Sequence, residues 1–371
     1  MKSRITIIAI VLLIASCTGS RRHLNIETKE IDYVNKTEFV FDGTPLDIQV
    51  NGLNEIMFCD SFLIALLTDP ENMIQAFDSK TFECVAKFGH VGRARNEFSQ
   101  YFNTLEKMHY RRNDKTYFPL IDDGSVIKEV DFSSSVQNNE MVISTVRDYP
   151  ISAWGYNRMG LINNGFDTVF CSSEVEQDPV RKHRNYAPKY YIYDIGKQER
   201  TQIDVYSRVM KVKNEDYYPP LYYTRMYKHP QKNIFVCPFF NRDYIFYFNL
   251  DSCQYFAIHQ TGTESFDSKL LEQQILALQD RLCFTSAEVT DDFILVMYLG
   301  GEDSKLHESV LPEILLFDWN GNYIAGAKLE KEIHDFCFDK MNNKLYGANF
   351  NEEIIYQFDI TAMIDRWHES N

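Results

Sequence analysis

Six times along the chain, an aromatic-rich or β-branched run ends in an apolar residue followed by Asp or Asn. The endings are Phe77-Asp78, Val130-Asp131, Tyr193-Asp194, Phe248-Asn249, Phe317-Asp318 and Phe358-Asp359. Successive endings lie 41 to 69 residues apart. Two short apolar stretches separated by turns precede each one. The first five are followed by turn residues and a further β-rich stretch: SKTFECVAKFG, FSSSVQNNEMVIS, IGKQERTQIDVY, LDSCQYFAIH and WNGNYIAGAKL. Asp or Asn beside Gly, Ser or Lys makes tight turns, because these residues bond their own backbone or tolerate left-handed angles. Each unit therefore reads as a four-stranded antiparallel meander, at a period near that of propeller blades. The sixfold repeat predicts an all-β chain, a six-bladed β-propeller of four-stranded antiparallel blades.

The longer units hold insertions at residues 174–189, 217–225 and 302–312. After the sixth ending comes only ITAMIDRWHESN, with no further strand. A ring that closes must then take its last strand from the other end, and residues 38–50 (EFVFDGTPLDIQV) are the expected N-terminal donor. Closure hides strand edges that would otherwise pair between molecules. One amphipathic helix is expected over 268–282, with Leu271, Ile275, Leu278 and Leu282 on one face, packed beneath or between blades.

The opening residues speak to location. Lys2 and Arg4 precede the apolar run ITIIAIVLLI and then Ala15, Ser16 and Cys17. Basic, apolar and small residues in that order make a secretory signal, and the run is too short for a helix across a bilayer core of about 30 Å. Ile14-Ala15-Ser16-Cys17 resembles the bacterial lipobox, which implies cleavage before Cys17 and lipidation of its thiol. Several acyl chains would hold firmly, at about 0.8 kcal/mol per buried CH₂. The expected division is a signal peptide over 1–16, a tether over 17–30 and the propeller domain over 31–371. Arg21, Arg22 and His23 follow the cysteine where surface-displayed lipoproteins of Bacteroidetes often carry acidic residues. By that resemblance, an outer-membrane lipoprotein facing the periplasm is expected.

The whole chain has a net charge of −15, and loss of Lys2 and Arg4 with the signal leaves −17. Nucleic acid is thereby excluded as a partner, since its binding needs Lys and Arg to replace phosphate counterions. Seven cysteines remain after Cys17, an odd number, with no CxxC and no zinc-ligand spacing. Free thiols acting as small hydrophobes are expected.

The segment FGHVGRARNEF, residues 88–98, resembles a signature of TolB-like six-bladed propellers found as Bacteroidetes lipoproteins, F-G-x-x-G-x-G-P-G-E-F. Gly89, Gly92, Glu97 and Phe98 match, while Ala94, Arg95 and Asn96 replace the Gly-Pro-Gly part. The resemblance implies a fold and an envelope location, without a defined activity. Gly89 and Gly92 would let a connection between blades take positive φ. Arg93 and Arg95 would ride on that connection near the central channel, as candidate binding charges.

No G-x-S-x-G elbow, P-loop or H-E-x-x-H occurs, and the nine histidines show no metal-binding helical spacing. Neither a metal nor a cofactor is expected. LIDDGSV, with Asp122, Asp123 and Gly124, lacks the ligand pattern of a calcium loop and reads as a β-turn. The aromatic load is the most distinctive feature, in YYIYD, YYPPLYY and PFFNRDYIFYFN. Tyr217, Tyr218, Tyr222 and Tyr223, together with Arg181 and Arg184 of RKHR, form the expected recognition face for an envelope protein or glycan, because amphipathic rings suit such contacts. The expectation is a binding or scaffold module without catalysis. The alternative is a hydrolase or lyase acting on glycans or lactones at the channel mouth, where side chains gather from several blades without a linear motif.

Overall fold

The computed structural model describes residues 24–99, 102–122, 126–149, 156–177, 184–206, 222–263, 281–303 and 310–370. An N-terminal arm comes first, with β1 (Glu27–Ile31), β2 (Phe39–Phe41) and β3 (Thr44–Pro45). Blade one is β4 (Leu53–Cys59), β5 (Phe62–Leu67), β6 (Ile74–Asp78) and β7 (Cys84–Phe88). In blade two the first strand is split into β8 (Phe102–Thr104) and β9 (Tyr110–Arg112), followed by β10 (Lys115–Asp122), β11 (Val126–Asp131) and β12 (Ile143–Asp148). Blade three is β13 (Tyr156–Leu161), β14 (Thr168–Gln177), β15 (Arg184–Asp194) and β16 (Glu199–Ile203). Blade four is β17 (Tyr227–Lys228), β18 (Ile234–Pro238), β19 (Tyr244–Asn249) and β20 (Gln254–Gln260). Blade five is β21 (Arg281–Val289), β22 (Phe293–Asp303), β23 (Glu313–Asp318) and β24 (Tyr323–Leu329). Blade six is β25 (Asp335–Asp339), β26 (Lys344–Asn349) and β27 (Ile354–Asp359), completed by β3.

The six sequence endings close the third strand of the six blades. A third strand has neighbours in its own sheet and a blade against each face, so it reads as an unbroken apolar run such as YIFYFN in β19. Its terminal Asp or Asn then turns the chain by accepting backbone N–H groups. Asp78 accepts from Lys80 and Thr81 at 2.9 Å, Asp194 from Lys197 at 2.9 Å, and Asn249 from Ser252 at 3.1 Å. Asp318 does the same with Asn320 at 2.9 Å and Asn322 at 2.7 Å, and Asp359 with Thr361 at 3.1 Å.

At Asp131 this acceptor has a different result. It caps the helix α1 (Phe132–Asn138) through Ser134 N at 2.9 Å, and Asn139, at φ 51, ends the helix in the left-handed conformation. The stretch FSSSVQNNEMVIS is therefore helix before it is strand. A second helix absent from the sequence expectations, α2 (Thr361–Ser370), seats Met363 and Ile364 against blades five and six. Of the helix expected over 268–282, residues 268–280 lie outside the described residues. Arg281 and Leu282 open β21 and are strand. The β-branched and apolar run that follows them pairs with β22, and this pairing overrides the local helical pattern.

Apolar residues gather in six clusters, one at each blade interface. Ring closure comes from the expected stretch: Pro45 pairs with Tyr356 and Thr44 with Gln357, both antiparallel. The arm does more than close the ring. β1 adds in parallel to β20, β2 adds in parallel to β24, and Leu24 bridges Tyr206 beside blade three. The ring-bound arm thus begins within the stretch read as tether, and it covers outer edges of blades four and five before it reaches blade six.

Candidate functional site

First strands line the axis, where β25 contacts β4 and β21 contacts both β25 and β17. We call the end at which they start the entry face and the other the exit face.

The split in the first strand of blade two builds the centre. Glu106 and Lys107 take positive φ, 47 and 59, and the chain between β8 and β9 carries Lys107 into the axis. There its ammonium donates to Asp335 at 2.7 Å, to Ser286 Oγ at 3.0 Å and to the Phe336 carbonyl, with Glu288 at 3.7 Å. Asp335 also accepts from Ser286 at 2.6 Å and from Ile56 N at 3.0 Å. Thr104 Oγ1 donates to Glu55, and Arg225 stands 3.5 Å from Glu106. Five blades are tied together by these contacts.

Burial sets the electrostatics. It opposes the Lys107 charge, yet Asp335 and Glu288 outweigh it and hold the ammonium above its ordinary pKa. For Asp335, burial again opposes charge, and Lys107 wins and holds the carboxyl low. Glu288 and Glu55 fare differently: burial, reinforced by Asp335, outweighs the attraction of Lys107. The Glu288 carboxyl is pushed up to about 8 and that of Glu55 to about 7. The cluster closes the channel and leaves a mouth on each face.

The entry-face mouth is small, about 160 Å³, beside Glu55, Glu106 and Arg225. The exit-face mouth is a cleft of about 360 Å³ to which all six blades contribute, among them Asp60, Tyr110, Asn164, Lys228, Asp291 and Phe338. Several polar groups there are committed to structure. Asp60 accepts from Thr116 Oγ1 at 2.5 Å. Asp339 caps its turn through Met341 N at 3.0 Å and Asn342 Nδ2 at 2.6 Å. Thr290 Oγ1 holds its own turn, donating to Phe293 O at 3.0 Å. His109 Nδ1 lies 3.2 Å from the Lys107 carbonyl, so that nitrogen carries the proton. Among the described residues no three His, Cys, Asp or Glu are placed to hold a metal ion.

The sequence candidates fall elsewhere. Cys17, Arg181, Tyr217 and Tyr218 lie outside the described residues, and Arg184 is described only as a strand residue paired with Gln177. Tyr222 is 4% exposed within the core between blades three and four, its ring edge-on to Tyr206 at 5.4 Å. Tyr223 is half-buried, edge-on to Phe240 at 5.4 Å. Arg93 and Arg95 are exposed, but Arg95 donates to the Ser144 carbonyl at 3.2 Å, on the outermost strand of blade two and away from the axis. The tyrosines and these arginines therefore belong to different blade interfaces.

The connection around them has a structural logic of its own. Glu97 turns back to accept from Ala94 N at 2.7 Å and to meet His90 Nε2 at 3.1 Å. A Cβ on Gly92, whose φ is not positive, would stand 1.9 Å from the Glu97 carboxylate, so a larger residue there must displace that carboxylate from its bonds. Asp122, of the expected turn, accepts from Ser99 N at 2.9 Å and pairs with Lys128 at 2.7 Å, while Asp123 and Gly124 lie outside the described residues.

The axial residues escaped the sequence reading. Their available signal was a charge inside an apolar strand, Glu288 in TSAEV and Asp335 in DFCFD, since such residues are rarely buried unless paired. All seven described cysteines are unpaired; five are buried, and Cys84 and Cys253 are exposed.

Fold and axis together define a six-bladed propeller with a charge-sealed channel. No family model matches the chain, and no curated protein matches it. Among solved structures it is similar to a member of the DUF4221 family from Bacteroides vulgatus, at 13% identity and TM-score 0.54 over 88% of this chain and 99% of that one. It is also similar to a Bacteroides fragilis protein whose given name presumes export, at 13% identity and TM-score 0.50 over 90% of this chain and 97% of that one. At such identities the likeness is one of fold.

Proposed function

We propose that this chain is a lipid-anchored envelope propeller of the TolB-like kind, acting as a binding module whose ligand enters the exit-face mouth. One observation carries the reading. The axis is sealed by an ion cluster whose members serve one another, while all six blades meet around an open cleft. A cleft of about 360 Å³ is within the range of small-ligand sites. For location the support is Ile14-Ala15-Ser16-Cys17 behind the apolar run, and the similar Bacteroides fragilis protein named for export agrees with it. An outer-membrane lipoprotein facing the periplasm fits the basic residues after Cys17.

The test joins placement to binding. Mass spectrometry of membrane-extracted protein should find a lipidated N-terminal peptide at Cys17. A panel of envelope glycans and peptides should yield a ligand that Gln231→Trp, which fills the cleft from an exposed position, no longer holds, at an unchanged melting temperature. A ligand indifferent to Gln231→Trp would place binding elsewhere.

An enzyme reading has one observation in its favour. Glu288 lines the same cleft and burial holds its carboxyl protonated at neutral pH, as a general acid requires. Turnover of a glycan or lactone, lost in Glu288→Gln with binding intact, would select it.

A further inference from the structure

Resting on the reading of the exit-face cleft as a ligand mouth, we infer that Lys228 is a covalent attachment point there, its side-chain amine forming an imine with the carbonyl group of a small aldehyde.

Lys228 ends β17, the first strand of blade four, and lines the cleft at 7% exposure. Its nitrogen donates to Asn164 Oδ1 of blade three at 2.8 Å and to the His229 carbonyl at 3.1 Å, both neutral acceptors. A neutral amine has two N–H groups and one lone pair. The two acceptors therefore satisfy both of its hydrogens and leave the lone pair unspent.

The surroundings favour that neutral form. Among the described residues no carboxylate oxygen lies within 4.0 Å of the nitrogen, although a buried ammonium is ordinarily paired. The pull that reaches it comes from Asp251, which is itself engaged by Asn233 Nδ2 at 2.8 Å. Asp60, Glu288, Asp291 and Asp339 line the same cleft without pairing with it, and burial keeps the adjoining His229 ring uncharged at pH 7. Desolvation thus pushes the Lys228 amine down to about 8.

A desolvated lysine is the residue type that condenses with carbonyl compounds near neutral pH. At pH 7 about a tenth of such an amine has its lone pair free, against about one part in 2,500 for an ordinary lysine. That pair attacks the carbonyl carbon, a C–N bond forms, and the π pair of the carbonyl moves to its oxygen. The oxygen then leaves as water with the two amine hydrogens, and C=N remains. No oxidant or reductant is consumed. A cleft of about 360 Å³ admits a small carbonyl compound to so buried an amine and keeps a polymer out. The exposed Lys340 at the rim, paired with Asp292 at 2.7 Å, is an internal control.

The test treats the full chain with glycolaldehyde and cyanoborohydride, which reduces an imine to a stable secondary amine, and reads each lysine by peptide mass spectrometry. At pH 7 Lys228 should be modified at least tenfold faster than Lys340, and its rate should rise with pH and level off above about 8. Asn164→Asp sets a carboxylate against the nitrogen at a position, φ 52, that aspartate tolerates. It should slow Lys228 at least tenfold at pH 7 and leave Lys340 unchanged. Oxidised dextran, a polymeric aldehyde, should modify Lys340 and spare Lys228. Ribose modifying Lys228 ahead of Lys340 identifies an open-chain reducing sugar as the source, and glycolaldehyde alone doing so identifies a simple aldehyde. Lys228 reacting no faster than Lys340, or at a rate that Asn164→Asp leaves unchanged, overturns the assignment. If Gln231→Trp abolishes ligand capture while Lys228 stays inert to aldehydes, the mouth stands and the imine site falls. If Lys228 reacts as expected but no ligand depends on Gln231, the reverse holds.

Discussion

Replacing Lys107 by Met tests the sealed axis directly. Among the described residues the ammonium is the one cation touching Asp335, and its loss leaves that carboxylate with Ser286 Oγ and Ile56 N while Glu288 remains nearby. Removing one partner of a buried ion pair costs about 3–5 kcal/mol, most of it the penalty of the stranded charge. That is a large part of the roughly 5–15 kcal/mol that separates a folded domain from its unfolded chain.

The pH dependence gives this loss a signature. In the parent protein the Asp335 pKa is depressed, so its contribution is present above the unfolded value near 4 and fades as pH falls through the folded value. In Lys107→Met, burial is opposed by the bonds from Ser286 and Ile56 without the ammonium and the folded pKa rises, so the variant gains stability as pH falls and loses it as pH climbs. The gap between the two proteins should therefore widen from pH 4 to pH 7. Urea unfolding followed by tryptophan fluorescence at several pH values measures it. Lys107→Met with Asp335→Asn removes both charges and should recover most of the loss. A single-variant cost under about 1 kcal/mol at pH 7, or a double variant no better than the single, would refute the account of a dry, paired centre.

Four further outcomes are expected. The Glu55 and Glu288 carboxyls are raised to about 7 and about 8, so each binds a proton in the folded chain that it loses when unfolded, and stability falls as pH rises from near 4.5 to 8. The slope is up to about 1.4 kcal/mol per pH unit for each group, and Glu288→Gln should flatten the upper part of the melting curve against pH. A thiol reagent in native buffer should modify Cys84 and Cys253 rapidly and spare the five buried cysteines until urea is added, as mass spectrometry would show. Gly92→Ala should displace Glu97 and cost about 1–2 kcal/mol, while deletion through residue 45 removes β3 and should produce self-association by size-exclusion chromatography through the bared β27 edge.

How much of this was legible in the sequence follows from how local each cause is. The third strands announced themselves because double-sided burial writes a contiguous apolar run, and the Asp or Asn that turns the chain sits within four residues of the N–H groups it holds. Closure was legible for a related reason: five fourth strands were visible after their endings, and the sixth was missing. The arm's two added strands were less so. β1 reads ETKEI and is exposed along most of its length, so no apolar pattern marks it. At the axis, locality fails altogether. Ile56 and Asp335 are 279 positions apart, and Lys107 and Asp335 are 228 apart. Their meeting is a product of the ring, and periodicity within one blade carries no trace of it. Tyr222 shows the converse error: a tyrosine beside an inserted loop looked like surface, but the core that buries it draws Phe170 and Tyr190 from blade three as well as Phe239 and Phe246 from its own blade.

Two lysines on first strands or their connections make the functional argument by contrast. Lys107 and Lys228 are buried to a similar degree, 6% and 7% exposed, and desolvation acts against both ammonium groups. Around Lys107 the chain supplies Asp335 and Glu288, and the charge is held above its ordinary pKa. Around Lys228 it supplies an amide oxygen and a carbonyl, and the charge is driven down to about 8. Burial is common to the two, and counter-charge is the difference. The first arrangement is complete within the chain and joins blades. The second leaves the ammonium with neutral acceptors alone, in the wall of an open cleft.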